Sequence, residues 1–342
     1  MPRTIFRLLV PPIVTATLLL AQEPLYTLKV DVPLVGLDVT VTDPYGKTVG
    51  NLSAKDFQVL ENGVPQEIQF FSPISAPYNV ALVFDRSGST QHKWPLMQKA
   101  VAGFIANLRQ QDRILIAAFD YELNPLLTWT DKREKALDVL AQLVRPKPVG
   151  GTAFYQAVDN VVRREFRDVA GRRAVVVLTD GRDTSFYNEI LSRNRMPDAS
   201  QDRGFQRTLR TVQERRIPVY FVAVNTDRNF EPNVTGGDEY RNLKVIFPNS
   251  PIADGYLTEV RKRMEAIAER SGGRVLFPRT FQDIVPLYQQ IGRELGTSYS
   301  LGYISRNPES EGELRQIEVR TTDETLRLSQ SRKSYYAGKM KG

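Results

Sequence analysis

From residue 77 onward, short unbroken apolar runs alternate with longer stretches in which apolar residues recur every three or four positions. The runs "NVALVF", "RILIAAF", "RRAVVVLTD" and "IPVYFVAVN" are strand-length and almost wholly apolar, the pattern of strands covered on both faces. Between and after them, "WPLMQKAVAGFIANLRQ", "DKREKALDVLAQLV", "TAFYQAVDNVVRREF", "GFQRTLRTVQERR" and "YLTEVRKRMEAIAERSGG" carry helical spacing. Asp131 is the expected N-cap of the second of these helices, and Gly272 closes the fifth. "RVLFP" reads as a short strand, and "TFQDIVPLYQQIGRELG" as a final helix capped by Thr280. The alternation predicts an α/β domain over residues 76–297: a doubly wound, mostly parallel sheet with helices on both faces. Residues 184–204 and 225–254 read as long loops, suited to a binding rim or to mobility.

The flanks follow a different rhythm. "LVGLDVTVTD" alternates with period two, "DPYGK" is a turn, and "FQVLENGVPQEIQFF" is strand, turn, strand. After residue 297, "SYSLGYISR", "ELRQIEVRTTD" and "TLRLSQSRKSYYAG" alternate again, with 306–313 as a hairpin loop. Neither flank holds enough apolar residues for its own core. Segments 22–75 and 298–342 are therefore expected to complete one small antiparallel β-sandwich-like domain, with the α/β domain inserted in it.

Residues 1–21 carry Arg3 and Arg7, then an apolar stretch over 8–20 broken by Pro11 and Pro12, then Ala21. That reads as a cleaved export signal, since roughly 20 apolar residues are needed to span a bilayer. An exported location, periplasmic or extracellular, with envelope association as an alternative and no membrane span in the mature chain, is the expectation.

Composition removes several chemistries. The chain of 342 residues has no cysteine and one histidine, His92, so disulfides, thiolate catalysis and histidine-based zinc sites are out of reach. The net charge of +7 comes from 46 Lys+Arg against 39 Asp+Glu, without a basic stripe interleaved with aromatics. Nucleic-acid binding is not expected; acidic partners suit the charge better.

Three segments place oxygen donors where open parallel sheets bind ligands, at the carboxyl ends of strands. "DRSGS" follows the first α/β strand with Asp85, Ser87 and Ser89. "VGGTAF" puts Thr152 at a helix start. "LTDGRD" puts Asp180 after another strand, with Asp183 as a turn residue. Two carboxylates and three hydroxyls form an all-oxygen set, which suits Mg2+. Taken singly, each segment could be no more than a turn or a helix cap. Arg86 is placed to steer an acidic ligand or is simply solvated, and Asp120 is a turn residue.

The set "DRSGS", "GGTAF" and "LTDGRD" resembles the von Willebrand factor A (integrin I-like) family and its metal-ion-dependent adhesion site. The flanking β segments resemble those of bacterial exported proteins carrying this domain. The resemblance covers roughly residues 76–297. It implies Ser87, Ser89 and Thr152 as direct or near-direct ligands, with Asp85 and Asp180 acting largely through waters. It also implies Mg2+ as the cofactor, with Mn2+ or Ca2+ as alternatives, and a protein partner whose Asp or Glu completes the shell. The expectation is a non-enzymatic adhesion or protein-binding module. A scaffold with a structural ion is the alternative, and a metal-dependent hydrolase a weaker one, lacking a general base. The sequence does not set the oligomeric state.

Overall fold

The computed structural model describes residues 34–86, 94–142, 151–224, 226, 239–248, 250–307 and 313–337. The expected signal segment, Ser87, Ser89, His92 and the tip of the 306–313 hairpin lie outside the described residues. The chain divides into two compact units, and all the described residues belong to the second, Pro33–Gly342.

Four strands open that unit: β1 (Leu34–Thr42), β2 (Phe57–Glu61), β3 (Val64–Gln66) and β4 (Ile68–Ser72). Asn62 and Gly63, both at positive φ, make the tight turn between β2 and β3. The α/β part follows with β5 (Tyr78–Asp85), α1 (Trp94–Asn107), β6 (Arg113–Phe119), β7 (Leu123–Thr130) and α2 (Arg133–Gln142). It continues with α3 (Phe154–Asn160), prolonged by a π turn over Val161–Glu165, then β8 (Arg172–Thr179), α4 (Thr184–Arg193), α5 (Arg203–Arg215) and β9 (Val219–Ala223). It ends with α6 (Glu239–Ile246), α7 (Ile252–Ser271), β10 (Val275–Leu276) and α8 (Ile284–Thr297). Four strands close the chain: β11 (Ser298–Ile304), β12 (Leu314–Thr321), β13 (Arg327–Gln330) and β14 (Ser334–Tyr336).

The central sheet has the order β10-β9-β8-β5-β6-β7, parallel except for the edge strand β7. Alternate residues of each inner strand serve opposite cores. Ala81 and Val83 of β5 face a core with α3, α4, α5 and α7, while Val80, Leu82 and Phe84 face α1, α2 and α8. Each such valine, leucine or phenylalanine side chain, fully buried, contributes about 1.5–3 kcal/mol, which anchors the strand that ends at Asp85. The fold is the predicted doubly wound α/β architecture with additional antiparallel sheets.

The chain ends build those sheets together, in the orders β13-β1-β11-β4 and β14-β12-β2-β3. Their inner faces share one core in which Val39, Val59, Tyr299, Leu301 and Ile317 are buried. A polar joint ties this part to the α/β sheet. Buried Arg172, at the start of β8, donates to the carbonyls of Ile74 (3.0 Å), Ala76 (3.1 Å), Leu295 (3.0 Å) and Ser298, and to Ser300 Oγ (3.2 Å). Its guanidinium lies over the Tyr78 ring at 4.1 Å, and Tyr78 and Ser300 both donate to Asp38.

Several expectations are corrected. The stretch 184–204 is no loop throughout: Asp183 accepts from the Ser185 amide and starts α4. Within 225–254, Glu239–Ile246 is helical. The edge strand β7 was not anticipated. Thr280 does not cap the last helix; its amide donates to Asp283 Oδ2 (2.8 Å) in a 3-10 turn, and α8 begins at Ile284. Helix α2 begins at Arg133, two residues beyond Asp131.

Candidate functional site

Asp85 is the last residue of β5 and is fully buried; Asp180 directly follows β8 and is 1% exposed. The parallel register pairs Phe84 with Leu178, so the next residue on each strand, Asp85 and Thr179, stand side by side. Thr179 Oγ1 donates to Asp85 Oδ2 at 2.7 Å and accepts from the Gly181 amide at 2.9 Å. One hydroxyl thus joins the Asp85 carboxylate to the backbone carrying Asp180. Sequence reasoning missed Thr179. The signal was there: a lone hydroxyl ending the buried run "VVVLT" has to find partners.

Hydrogen bonds close a ring through four loops. The Arg86 amide donates to the Phe119 carbonyl (2.9 Å), and the Ala153 amide to the Asp120 carbonyl (2.7 Å). Thr152 pairs with Thr184 in both directions: its amide donates to Thr184 Oγ1 (2.7 Å) and its carbonyl accepts from the Thr184 amide (2.9 Å). Asp183 accepts from the Ser185 amide (2.9 Å) through one oxygen and the Tyr155 amide (3.1 Å) through the other. Burial pushes the Asp183 carboxyl above its ordinary range, against the pull of these donors. It is a helix cap that also stitches α4 to α3, more than the turn residue first assigned. The ring returns through Gly181 and Thr179 to Asp85.

The two glycines in the ring are there for conformation and space. Gly151 has φ +127°, and a Cβ there would lie 2.5 Å from the Tyr121 ring. Gly181 has φ +71°, and a Cβ would lie 2.4 Å from Met264 Sδ on α7. Both conformations favour glycine.

Charges around the ring are arranged in pairs. Arg86 meets Asp120 Oδ2 at 2.6 Å, so neither is the solvated side chain or plain turn residue expected. Arg182 Nε lies 3.6 Å from Asp180 Oδ2, both nearly excluded from solvent. Thr152 is 8% exposed, and its hydroxyl takes no hydrogen-bond partner among the described residues. Of the five predicted site residues, the ring therefore links Asp85, Thr152 and the Asp180 loop, while Ser87 and Ser89 are not among those described. No group of three or more His, Cys, Asp or Glu is placed to hold a metal among the described residues. The donors present are hard oxygens, the buried carboxylates of Asp85 and Asp180 and the hydroxyl of Thr152. They fit a hard divalent cation such as Mg2+.

The sequence model of the von Willebrand factor type A domain matches residues 79–267, more than half of the chain. The chain belongs to this family. Von Willebrand factor A domains are generally interaction modules that mediate protein–protein contacts, and those with an adhesion site bind divalent metal. Among solved structures, a von Willebrand factor type A protein from Catenulispora acidiphila is similar at 12% identity and a TM-score of 0.46, covering 85% of this chain and 75% of its own. Proximal thread matrix protein 1 from the mussel byssus, with a zinc-occupied adhesion motif, is similar at 13% identity and a TM-score of 0.46, covering 69% and 49%. The conserved hypothetical protein BatB from Bacteroides thetaiotaomicron is similar at 15% identity and a TM-score of 0.43, covering 64% and 98%. The chain spans about half the length of the thread matrix protein. No curated protein sequence matches it. No described helix is long and apolar enough to cross a membrane.

Proposed function

We propose that the chain is an exported, non-enzymatic, Mg2+-dependent protein-binding module of the von Willebrand factor A family. The ion's residues are Asp85, Ser87, Ser89, Thr152 and Asp180. The observation that carries the reading is the hydrogen-bonded ring, which gathers Asp85, Thr152 and the Asp180 loop at the carboxyl end of the sheet. Asp85 and Asp180 supply the negative charge that favours a dication, held in place by Thr179 and Arg182. Thr152, Ser87 and Ser89 supply neutral oxygens. When bound, the ion offers an electrophilic position for a carboxylate from outside, an Asp or Glu of the partner. The division of the chain into segments 22–75 and 298–342 around a domain at 76–297 belongs to the same proposal, as does the signal at 1–21.

The alternative, a scaffold whose ion is structural, predicts partner binding that ignores the ion. The test is retention of acidic peptides on the immobilised chain with Mg2+, with chelator, and with Asp85→Ala. Retention that needs Mg2+ and is lost in the variant supports the module. Retention indifferent to both would shift the assignment to the scaffold.

A further inference from the structure

A second charged feature lies on α5 and on α3 with its π turn. Residues 154–165 and 203–215 hold six arginines and no lysine, against three acidic residues. That local surplus is three of the chain's net +7. At the seam between the helices sits Asp159, 2% exposed. Its Oδ1 accepts from Thr211 Oγ1 at 2.5 Å, while its Oδ2 lies 3.8 Å from Arg163 Nε and 3.7 Å from Arg207 Nε. One buried carboxylate oxygen thus holds two guanidinium groups side by side by their inner nitrogens. Both side chains are 51% exposed, and their outer nitrogens take no other partner among the described residues. Arg203 and Arg210 stand four residues before and three after Arg207, both exposed, and Arg164 is exposed beside Arg163. Like charges at these spacings disfavour a helix, so helix stability does not account for the arrangement.

We propose that this face docks onto an anionic phospholipid surface, with Arg163 and Arg207 together clamping one headgroup phosphate and Arg164, Arg203 and Arg210 meeting its neighbours. Guanidinium forks match phosphate oxygens in a bidentate way that an ammonium does not. Arg203 to Arg210 spans about 10 Å along α5, a spread that suits many phosphates presented side by side. The aromatic residues of the seam, Tyr155, Phe166 and Phe205, are buried, so they offer no platform for stacking bases, which argues against single-stranded nucleic acid. Each arginine near an anionic leaflet contributes about fivefold in partitioning.

The test is co-sedimentation of the full chain with phosphatidylcholine vesicles and with vesicles also containing phosphatidylglycerol. Parent, Arg163→Gln/Arg207→Gln and Arg203→Gln/Arg210→Gln are compared, each checked by thermal melting. The second pair leaves Asp159 and its two partners intact, so it reads the face even where the first pair loses stability. The N-terminal apolar stretch is common to all three, so differences between them report this face. Expected is a loss of about 25-fold on the mixed vesicles for each pair, with little binding near 1 M salt, where the Debye length is about 3 Å. Equal partitioning of parent and both folded variants would overturn the proposal. So would salt-sensitive binding to duplex DNA that is lost in the same variants while lipid binding is not. Neither result touches the ion site.

Discussion

The Thr179 hydroxyl is the smallest part on which the site depends, because it is at once the donor to Asp85 and the acceptor for the Gly181 amide. Thr179→Val keeps the shape and removes both bonds, the one from the buried Gly181 amide and the one to the buried Asp85 carboxylate. Denaturant titration should show a loss of about 1–3 kcal/mol, and Mg2+ affinity should fall with it. Gly181→Ala acts through the backbone. At φ +71° the added Cβ strains the loop and meets Met264, and calorimetry should show a loss of about 1–3 kcal/mol. Measured against Met264→Ala alone, Gly181→Ala should cost only the strain, since the collision is then gone. At this scale the sequence was legible where charge or glycine marks a residue, as at Asp85, Asp180 and Gly272. It did not name the partner where a residue acts through a neighbour on another strand. Nothing in "LTD" says that its threonine would bond to a carboxylate 94 positions earlier.

Elements divide in the same way. Strands β5 and β9 are fully buried, as are β6 and β8 apart from Arg113 and Arg173, so their composition announces them. Strand β7 is an edge strand with Pro125 in its ladder and irregular pairing to β6; proline is tolerated there, and the pattern has no clean period. Helix α4 hides behind a glycine loop, although Asp183 capping a Phe186–Ile190 spacing was its signature. The two carboxylate-bearing strands share a second anchor at their other ends, where Arg172 of β8 stacks on Tyr78 of β5 and gathers carbonyls from the chain's β segments. Arg172→Leu would leave those carbonyls without their donor. Urea unfolding should show a loss of about 3 kcal/mol or more, while the folded fraction should bind Mg2+ as the parent does, because the joint lies at the far end of both strands.

For the whole molecule, the antiparallel sheets contribute an acid-sensitive element. Glu61 is fully buried and accepts from Tyr303 (2.8 Å), Tyr335 (2.7 Å), Ser305 (2.6 Å), Asn307 (2.5 Å) and Arg315 (3.1 Å). Burial alone would raise its carboxyl; these donors outweigh it and hold the carboxyl below its ordinary value of 4.5. A depressed folded value stabilises the fold above the unfolded value, and that stability is lost as pH falls through the folded one. Urea midpoints should therefore decline below about pH 4.5, and Glu61→Gln should be less stable at neutral pH with a shallower acid decline.

The ion site is tested by one calorimetric titration of Mg2+ into the metal-stripped full chain, beside an Asp85→Ala/Asp180→Ala variant verified as folded. Saturable one-site binding by the parent and none by the variant is the predicted result. Equal binding by both, or none by the well-folded parent, would contradict the assignment of Asp85, Ser87, Ser89, Thr152 and Asp180 to an ion.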